Sequence, residues 1–314
     1  MLAEFALTPD FFDPTSYSSD EIHGLHLRYL KDTFLKEALI RDLREGKWEE
    51  YVLSRGLVLS PKSKELLKKM RQQNRLRLVP SAREADPIND REWCEEAIQS
   101  HSIDPLDGII ATDKVKKHYI DEDIVASVDR LNVTQWWRLA KETAESTTVL
   151  VNTSSYKKAL KKIFECARSI MFIDPWIDPR EDNYSHFGEL LALSRRDAPP
   201  NPLIEIHRKV ESPRSRVDVK REVNAWEQAF SSLDNVLQDT GNSAEVFIWD
   251  YVHDRFLVTD IIGISIGQGF SESRYPGETT KFSRLSRSDR DDLQREYHEN
   301  SKKHWLVHKF RIGA

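Results

Sequence analysis

The residue types best suited to chemistry lie within residues 252–271, which read VHDRFLVTDIIGISIGQGFS. His253 is followed two residues later by Arg255, and Asp260 comes seven residues after the histidine. Because alternate side chains of an extended strand point to the same face, His253 and Arg255 are expected to project from one surface. An imidazole can attack phosphorus or transfer protons, and a guanidinium holds phosphate oxygens. This pair therefore predicts a phosphate site.

A small polar turn follows the apolar run IIGISI and contains Gly267, Gln268 and Ser271. Gln and Ser can donate hydrogen bonds to phosphate oxygens, and glycine lets backbone N–H groups approach an anion. Taken alone, this is an ordinary turn, but its position after the His-x-Arg pair favours phosphate binding. Asp260 has two interpretations of equal weight: it orients the imidazole or the arginine, or it is a turn residue at a strand end.

This spacing resembles one half of the phospholipase D superfamily signature, HxK(x)4D followed after six residues by GSxxN. Arg255 occupies the lysine position, and Gln268 and Ser271 occupy those of Ser and Asn. The resemblance implies that His253 forms a covalent phospho-histidine and that two such halves make one active site. Since guanidinium binds phosphate but does not give up its proton, the half-site is degenerate, and binding without turnover stays open.

The elements around this motif are predicted to form an α/β domain over residues 151–314. Helices alternate with strands, from the helix SSYKKALKKIFECAR with a serine N-cap to a strand pair, HDRFLVTD and IGISIGQG. Such alternation favours a central mixed sheet flanked by helices. The order also resembles the phospholipase D-like domain at the C-terminus of microtubule-interacting-and-transport (MIT) proteins, over roughly residues 155–275. That resemblance implies a dimer and a non-catalytic lipid-headgroup binder in eukaryotes, and a genome-defence setting in bacteria.

Residues 1–150 are predicted to form a separate mixed α/β domain with a role in recognition or assembly. LHLRYLKDTFLKEALIRDLREG has apolar residues at helical spacing and Gly46 as a stop, which predicts one helix. REWCEEAIQSH predicts a helix, and LDGIIAT and ESTTVLVNTS predict strands. Trp136 and Trp137 are interpreted as a packed helix face.

Two basic stretches have two interpretations of similar weight: a solvated surface, or a groove that binds the phosphates of DNA, RNA or lipid headgroups. Residues 207–222 are predicted to be a loop at the same sheet edge as the motif. Its candidate nucleic-acid-binding cations are Arg208, Lys209, Arg214, Arg216, Lys220 and Arg221. The later run SRYPGETTKFSRLSRSDR interleaves cations with Tyr275 and Phe282, a combination that suits single strands.

Composition limits the remaining classes. The 314 residues are 39% hydrophobic and 32% charged, with a net charge of −5, which argues against a generally basic coating protein. Two cysteines without metal spacing favour a reducing compartment, and no leader or membrane-length apolar run is visible, so the chain is expected to be cytoplasmic. Motifs for nucleotide hydrolysis, redox or zinc chemistry are missing, so neither cofactor nor metal is expected. Asp174 and Asp178 after the strand SIMFI are interpreted as turn formers that line the site.

Together these features predict a metal-independent phosphodiesterase acting on nucleic acid in prokaryotic anti-phage defence, alongside the partner proteins of such a system. A homodimer would bring two His253 residues together, with Arg255 and Asp260 beside them. The alternative is a non-catalytic module whose anion pocket docks nucleic-acid backbone or phospholipid headgroups, or serves assembly.

Overall fold

The chain folds into two compact α/β units, Met1–Glu145 and Ser146–Ala314. The computed structural model describes residues 1–55, 59–196, 200–210 and 216–313, and within 216–222 it describes the backbone alone. The predicted α/β class is confirmed, with one parallel and one mixed sheet. Among the described residues, no helix combines the length and the apolar character that crossing a bilayer requires.

The first unit contains a five-stranded parallel sheet in the order β3-β2-β1-β4-β5. Its described strands are β1 (Ala3–Leu7), β2 (Ala38–Asp42), β3 (Leu76–Leu78), β4 (Gly108–Ala111) and β5 (Val125–Ser127). Its described α-helices are α1 (Asp20–Asp32), α2 (Lys47–Ser54), α3 (Pro61–Gln72), α4 (Asp90–Ile103), α5 (Asp113–Lys116) and α6 (Gln135–Glu145). A π-helical turn covers Thr33–Glu37, and 3-10 turns cover Pro9–Phe12, Pro14–Ser16 and Val128–Val133.

The single helix predicted up to Gly46 is wrong beyond the π-helical turn, because residues 38–42 form β2. Every residue of β2 is buried, as expected of a central strand covered on both faces. The apolar part of β2 is only residues 38–40, and periodicity cannot distinguish so short a run from a segment of a buried helix. Gly46 adopts φ +103° as the N-cap of α2, so its left-handed backbone opens a helix where the sequence predicts the end of one. The predicted strand at LDGIIAT and helix at REWCEEAIQSH are present as β4 and α4.

The second unit contains an eight-stranded mixed sheet in the order β13-β9-β8-β7-β10-β11-β12-β6. Strands β7, β8 and β9 run parallel, and the other neighbouring pairs run antiparallel. The strands are β6 (Ser146–Leu150), β7 (Ser169–Ile173), β8 (Leu203–Lys209), β9 (Ala244–Trp249), β10 (Phe256–Thr259), β11 (Gly263–Ile266), β12 (Thr279–Arg284) and β13 (Leu306–Ile312). The α-helices are α7 (Thr153–Cys166), α8 (Phe187–Ala192), α9 (Arg216–Phe230), α10 (Asp234–Asp239) and α11 (Arg287–Glu296), with 3-10 turns at Asp182–Tyr184 and Ser231–Leu233.

The predicted strand pair is present as the antiparallel hairpin β10–β11, but β10 begins at Phe256, so His253 and Arg255 lie before the strand and not within it as predicted. The long helix predicted to end at Gly241 is instead divided into α9 and α10. Ser231 and Ser232 each donate a side-chain hydrogen bond to a carbonyl three residues back, a local bond that competes with helix continuation. Strand β6 pairs with β12, which places residues 146–150 in the second unit. The helix α7 is capped by the Asn152 side chain, where the sequence predicts a serine cap.

Candidate phosphate-binding site

The strand directions of the second unit bring the motif to one edge of the sheet. Parallel strands β7, β8 and β9 end at this edge, antiparallel β10 begins there, and β11 ends there. We call it the site edge. It is formed by Asp174 and Trp176 after β7, Lys209 at the end of β8, Tyr251 after β9, His253 and Arg255 before β10, and Gln268 after β11. Carboxyl ends of strands are where open α/β sheets hold their ligands.

Asp174 organises the centre of the site edge. Its fully buried carboxylate accepts hydrogen bonds from the backbone N–H of Trp176 at 3.0 Å and of Phe270 at 3.0 Å, and from the Tyr184 hydroxyl at 3.1 Å. These contacts join the turn after β7 to the turn after β11. Burial raises the pKa of the Asp174 carboxyl above its usual range, and the neighbouring Arg255 guanidinium opposes that rise.

Arg255 presents a cation whose hydrogen-bonding capacity is unused. Its Nε lies 3.7 Å from Asp174 Oδ1, too far for a hydrogen bond, and its side chain is 30% exposed. No hydrogen bond joins its guanidinium to another part of the chain that the structure describes. The guanidinium therefore lies within ion-pairing distance of the buried carboxylate; its Nε is buried, and the donors of its terminal nitrogens stay available for an anion that arrives from solvent.

Gly269 allows the turn after β11 to approach this pair. Its φ is +71°, and a Cβ atom at this position would lie 2.1 Å from Asp174 Oδ2 and 2.5 Å from Arg255 Cδ. Any side chain would therefore clash with the carboxylate as well as strain the backbone.

The predicted phosphate ligands of this turn are already hydrogen-bonded, to the turn itself and to residues in and next to β12. The Gln268 side-chain amide donates to Glu278 Oε1 at 2.7 Å, and the Ser271 hydroxyl donates to the Gln268 carbonyl at 3.2 Å. The Gly267 N–H donates to the Lys281 carbonyl at 3.3 Å, as part of the pairing with β12. Binding of a phosphate by Gln268 or Ser271 would require these bonds to break.

His253 lies at the site edge with its imidazole 74% exposed. Its Nδ1 is 3.0 Å from Asp254 Oδ1, and the ring stacks against Tyr251 at a centroid distance of 6.4 Å and an interplanar angle of 16°. Tyr251 in turn stacks on His304 at 5.7 Å, and His304 Nε2 lies 2.7 Å from Glu296 Oε1. The imidazole is thus stacked on one face, and its Nε2 has no hydrogen-bond partner among the described residues.

Asp260 lies at the opposite end of β10 from His253 and Arg255. Its carboxylate accepts hydrogen bonds from the backbone N–H groups of Arg168, at 2.8 Å, and of Ser169, at 3.4 Å, where β7 begins. It lies five residue steps from Arg255 across the four residues of β10, a separation of roughly 16 Å. Within one chain Asp260 therefore stabilises a strand end and does not orient the imidazole or the guanidinium, which corrects the catalytic role expected of it.

The basic stretch at residues 207–222 is not a single loop, because β8 extends to Lys209 and α9 begins at Arg216. Arg208 is buried: its guanidinium lies 3.2 Å from the centroid of the Trp226 ring and donates to the Ile177 carbonyl at 2.9 Å. It is therefore a packing residue and not the surface cation that the sequence predicts.

Lys209 reaches the site edge, with its Nζ 5.4 Å from the Trp176 ring centroid. The remaining candidates lie outside the described residues or side chains, namely Arg214, Arg216, Lys220 and Arg221.

A charged cluster in the first unit was not found by sequence reasoning. Asp10, after β1, accepts a hydrogen bond from the hydroxyl of Thr112, after β4. Arg55 bridges Asp13 and Asp90 at 2.9 Å and 2.6 Å. Burial, followed by the charge of Asp10, raises the pKa of Asp90 to about 6. Strands β1 and β4 meet where the direction of the chain connections reverses, a common ligand position, but no described group of three His, Cys, Asp or Glu side chains is arranged to hold a metal.

These acids are separated by up to 80 positions in the sequence and form no spacing motif, so only the sheet order could have brought them together. The contact between residues 174 and 270 is likewise not predictable from the sequence, because only the pairing of β7, β10 and β11 brings these residues together.

Comparison with known proteins identifies no family. No protein-family model matches the chain, and no curated protein matches its sequence. One solved structure similar to the chain is described as "Structure of TrmBL2, an archaeal chromatin protein, shows a novel mode of DNA binding". It is 12% identical, and the alignment covers 81% of this chain and 86% of that one, with a TM-score of 0.27. A TM-score this low carries no argument about fold or function.

Proposed function

We propose that the second unit is a phospholipase D-type phosphodiesterase that acts on nucleic acid at the site edge. The observation that carries the proposal is the Arg255 guanidinium, whose Nε lies 3.7 Å from buried Asp174, whose side chain is 30% exposed, and which is free of hydrogen-bonded partners among the described residues. Two residues away, His253 exposes the nitrogen that would attack. A cation beside an open nucleophile is what phosphoryl transfer requires of a protein.

Two histidines and one water molecule account for every bond and proton in the proposed hydrolysis. His253 Nε2 attacks phosphorus, the bond from phosphorus to the leaving oxygen breaks, and a second imidazole in its protonated form gives that oxygen a proton. The second imidazole then takes a proton from water, whose oxygen attacks phosphorus as the P–N bond breaks. Arg255 stays charged throughout and binds the non-bridging oxygens. Because each chain carries one such motif, His253 of a second copy is the proposed acid.

A second candidate function is phosphate binding without turnover, to nucleic-acid backbone or phospholipid headgroups. The observation that favours it is the turn after β11, where Gln268 and Ser271 are already hydrogen-bonded and Arg255 replaces the lysine of the superfamily pattern. Transition-state stabilisation tolerates little displacement of such groups, whereas simple anion binding tolerates more.

Cleavage of labelled DNA and RNA in EDTA separates the two functions. We expect wild-type protein to cleave and His253→Ala to lose activity on the order of a hundredfold or more, because the nucleophile is removed. His118→Ala is the matched control, since His118 is an exposed histidine of the first unit and should cleave like wild type. Equal cleavage by wild type and His253→Ala would refute the proposal. No cleavage by wild type, with binding lost in Arg255→Ala, would favour the binding function.

A further inference from the structure

Two large aromatic side chains at the site edge are exposed where burial would be expected. Trp176 is 49% exposed and Tyr251 is 51% exposed. Each lies beside a group that can bind an anion: Lys209 Nζ is 5.4 Å from the Trp176 ring centroid, and His253 stacks on Tyr251. Single exposed apolar side chains are common on proteins, so it is the repeated pairing of ring and cationic group that requires explanation.

The sheet order places these pairs in a row. Strands β9, β8, β7 and β10 are consecutive neighbours, so Tyr251, Lys209, Trp176 and Arg255 follow one another along the edge. With strands about 4.8 Å apart, the row extends roughly 14 Å. That length corresponds to about four stacked nucleotides at ~3.4 Å each.

The carboxylates along this row oppose Arg255 and His253 but leave Lys209 without an ion pair to a described residue. Asp174 faces Arg255, Asp178 pairs with Arg180 at 2.8 Å, and Asp250 accepts the backbone N–H of Trp305 at 2.9 Å. Exposed Asp254 lies against His253. Lys209 makes no ion pair with a described residue, and Arg255 is free of hydrogen-bonded partners within the same described residues. The row therefore complements a polyanion that also offers flat apolar faces.

We infer that the site edge binds single-stranded nucleic acid, with bases stacked on Trp176 and Tyr251 and the backbone held by Lys209 and Arg255. Base pairing would hold the bases away from a protein ring, whereas the unpaired bases of a single strand can stack on one. Cations next to the rings place the phosphates within reach while each base is stacked. Single-strand binding rests on the function proposed above for the same edge, but it requires binding alone and no cleavage.

Fluorescence anisotropy with a labelled thymidine oligonucleotide, and with a duplex of equal length, tests the inference. All variants are made in a His253→Ala background so that the probe is not consumed. Trp176→Ala and Tyr251→Ala should each weaken single-strand binding by roughly five- to a hundredfold, the usual loss for one stacked base. Trp176→Phe, which keeps a ring, should retain most of the affinity and shows that a loss in Trp176→Ala is not misfolding.

Leu203→Ala is the matched control, because Leu203 is 73% exposed at the amino end of β8, on the opposite edge of the same sheet. It should bind the single strand like its parent. Unchanged single-strand affinity in both Trp176→Ala and Tyr251→Ala overturns the inference, as does equal loss for single strand and duplex. Binding to anionic phospholipid vesicles in place of the oligonucleotide also overturns it.

The experiments can refute either of the two proposals without refuting the other. If wild-type protein cleaves nothing but single-strand binding depends on Trp176, the phosphodiesterase proposal fails and the single-strand site stands. If wild-type protein cleaves, and Trp176→Ala and Tyr251→Ala bind and cleave single strands equally well, the single-strand site fails and the phosphodiesterase proposal stands.

Discussion

A single buried carboxylate determines how the site residues are arranged. Asp174 accepts three hydrogen bonds from three segments and faces Arg255, so it lies beside a cation and closes the turn after β11. The sequence predicts that His253 and Arg255 project from one face of a strand, but β10 begins at Phe256, so both residues precede the strand and their two-residue spacing does not establish a shared face. The sequence does not predict the burial of Arg208. The ring that covers it belongs to Trp226 in α9, eighteen residues later in the chain.

Replacement of Gly269 tests the close approach to Asp174. Gly269→Ala should lower the free energy of unfolding by about 1–3 kcal/mol through backbone strain and more through the clash with Asp174 and Arg255. Gly277→Ala is the matched control, because Gly277 has φ +87° but nothing within 4 Å of an added Cβ, so it reports the strain alone. Urea denaturation measures both variants. Equal destabilisation of the two would show that the turn does not pack tightly on Asp174.

At the scale of elements, the pattern of polar and apolar residues predicts a strand more reliably when a turn flanks it on each side. The hairpin β10–β11 was predicted because polar residues and glycines flank two short apolar runs. The sequence does not reveal strand β2 because Leu39 and Leu43 continue the helical spacing of Leu35, and burial on both faces removes the alternation that identifies a strand. The spacing of residues 38–42 is compatible with a helix or a strand, and their burial within the sheet determines that they form a strand.

The last residue of β2 gives this strand a pH-dependent contribution to stability. Burial raises the pKa of Asp42 from its ordinary 3.8 to about 7, although its carboxylate accepts the Glu49 N–H at 3.0 Å. The unfolded chain releases this proton near pH 4 and the folded chain near pH 7. Asp42 therefore lowers the free energy of unfolding as pH rises between these values, by on the order of a few kcal/mol at pH 8.

Asp42→Asn should therefore stabilise the protein at pH 8 and change little at pH 4, because the amide is neutral and its oxygen can still accept the Glu49 N–H. Urea denaturation across this pH range measures the difference. Asp121→Asn, at an exposed position of the same unit, controls for the loss of a negative charge. A difference between wild type and Asp42→Asn that does not vary with pH would contradict the shifted pKa.

At the scale of the molecule, the proposed mechanism gives each chain one half-site. The motif occurs once in the sequence, and the structure places a single exposed His253 at the site edge of the second unit. The mechanism proposed here needs two imidazoles at one phosphorus, so it requires a second copy of the chain. Because the motif occurs only once, the sequence alone predicts that a second copy is needed. It does not predict which surfaces of the two copies meet, because those contacts form between chains.

Mixing experiments test whether two copies share the site. Wild type and His253→Ala are co-expressed with different tags, so that mixed dimers form, and cleavage in EDTA is measured at known ratios. If both His253 residues are needed, activity falls with the square of the wild-type fraction, to about one quarter at equal amounts. If each chain acts alone, it falls in proportion, to about one half. Light scattering should give twice the 36.6 kDa of one chain. A monomer, or proportional loss, would contradict the shared site, since one imidazole cannot remain bonded to phosphorus and also serve as the general acid.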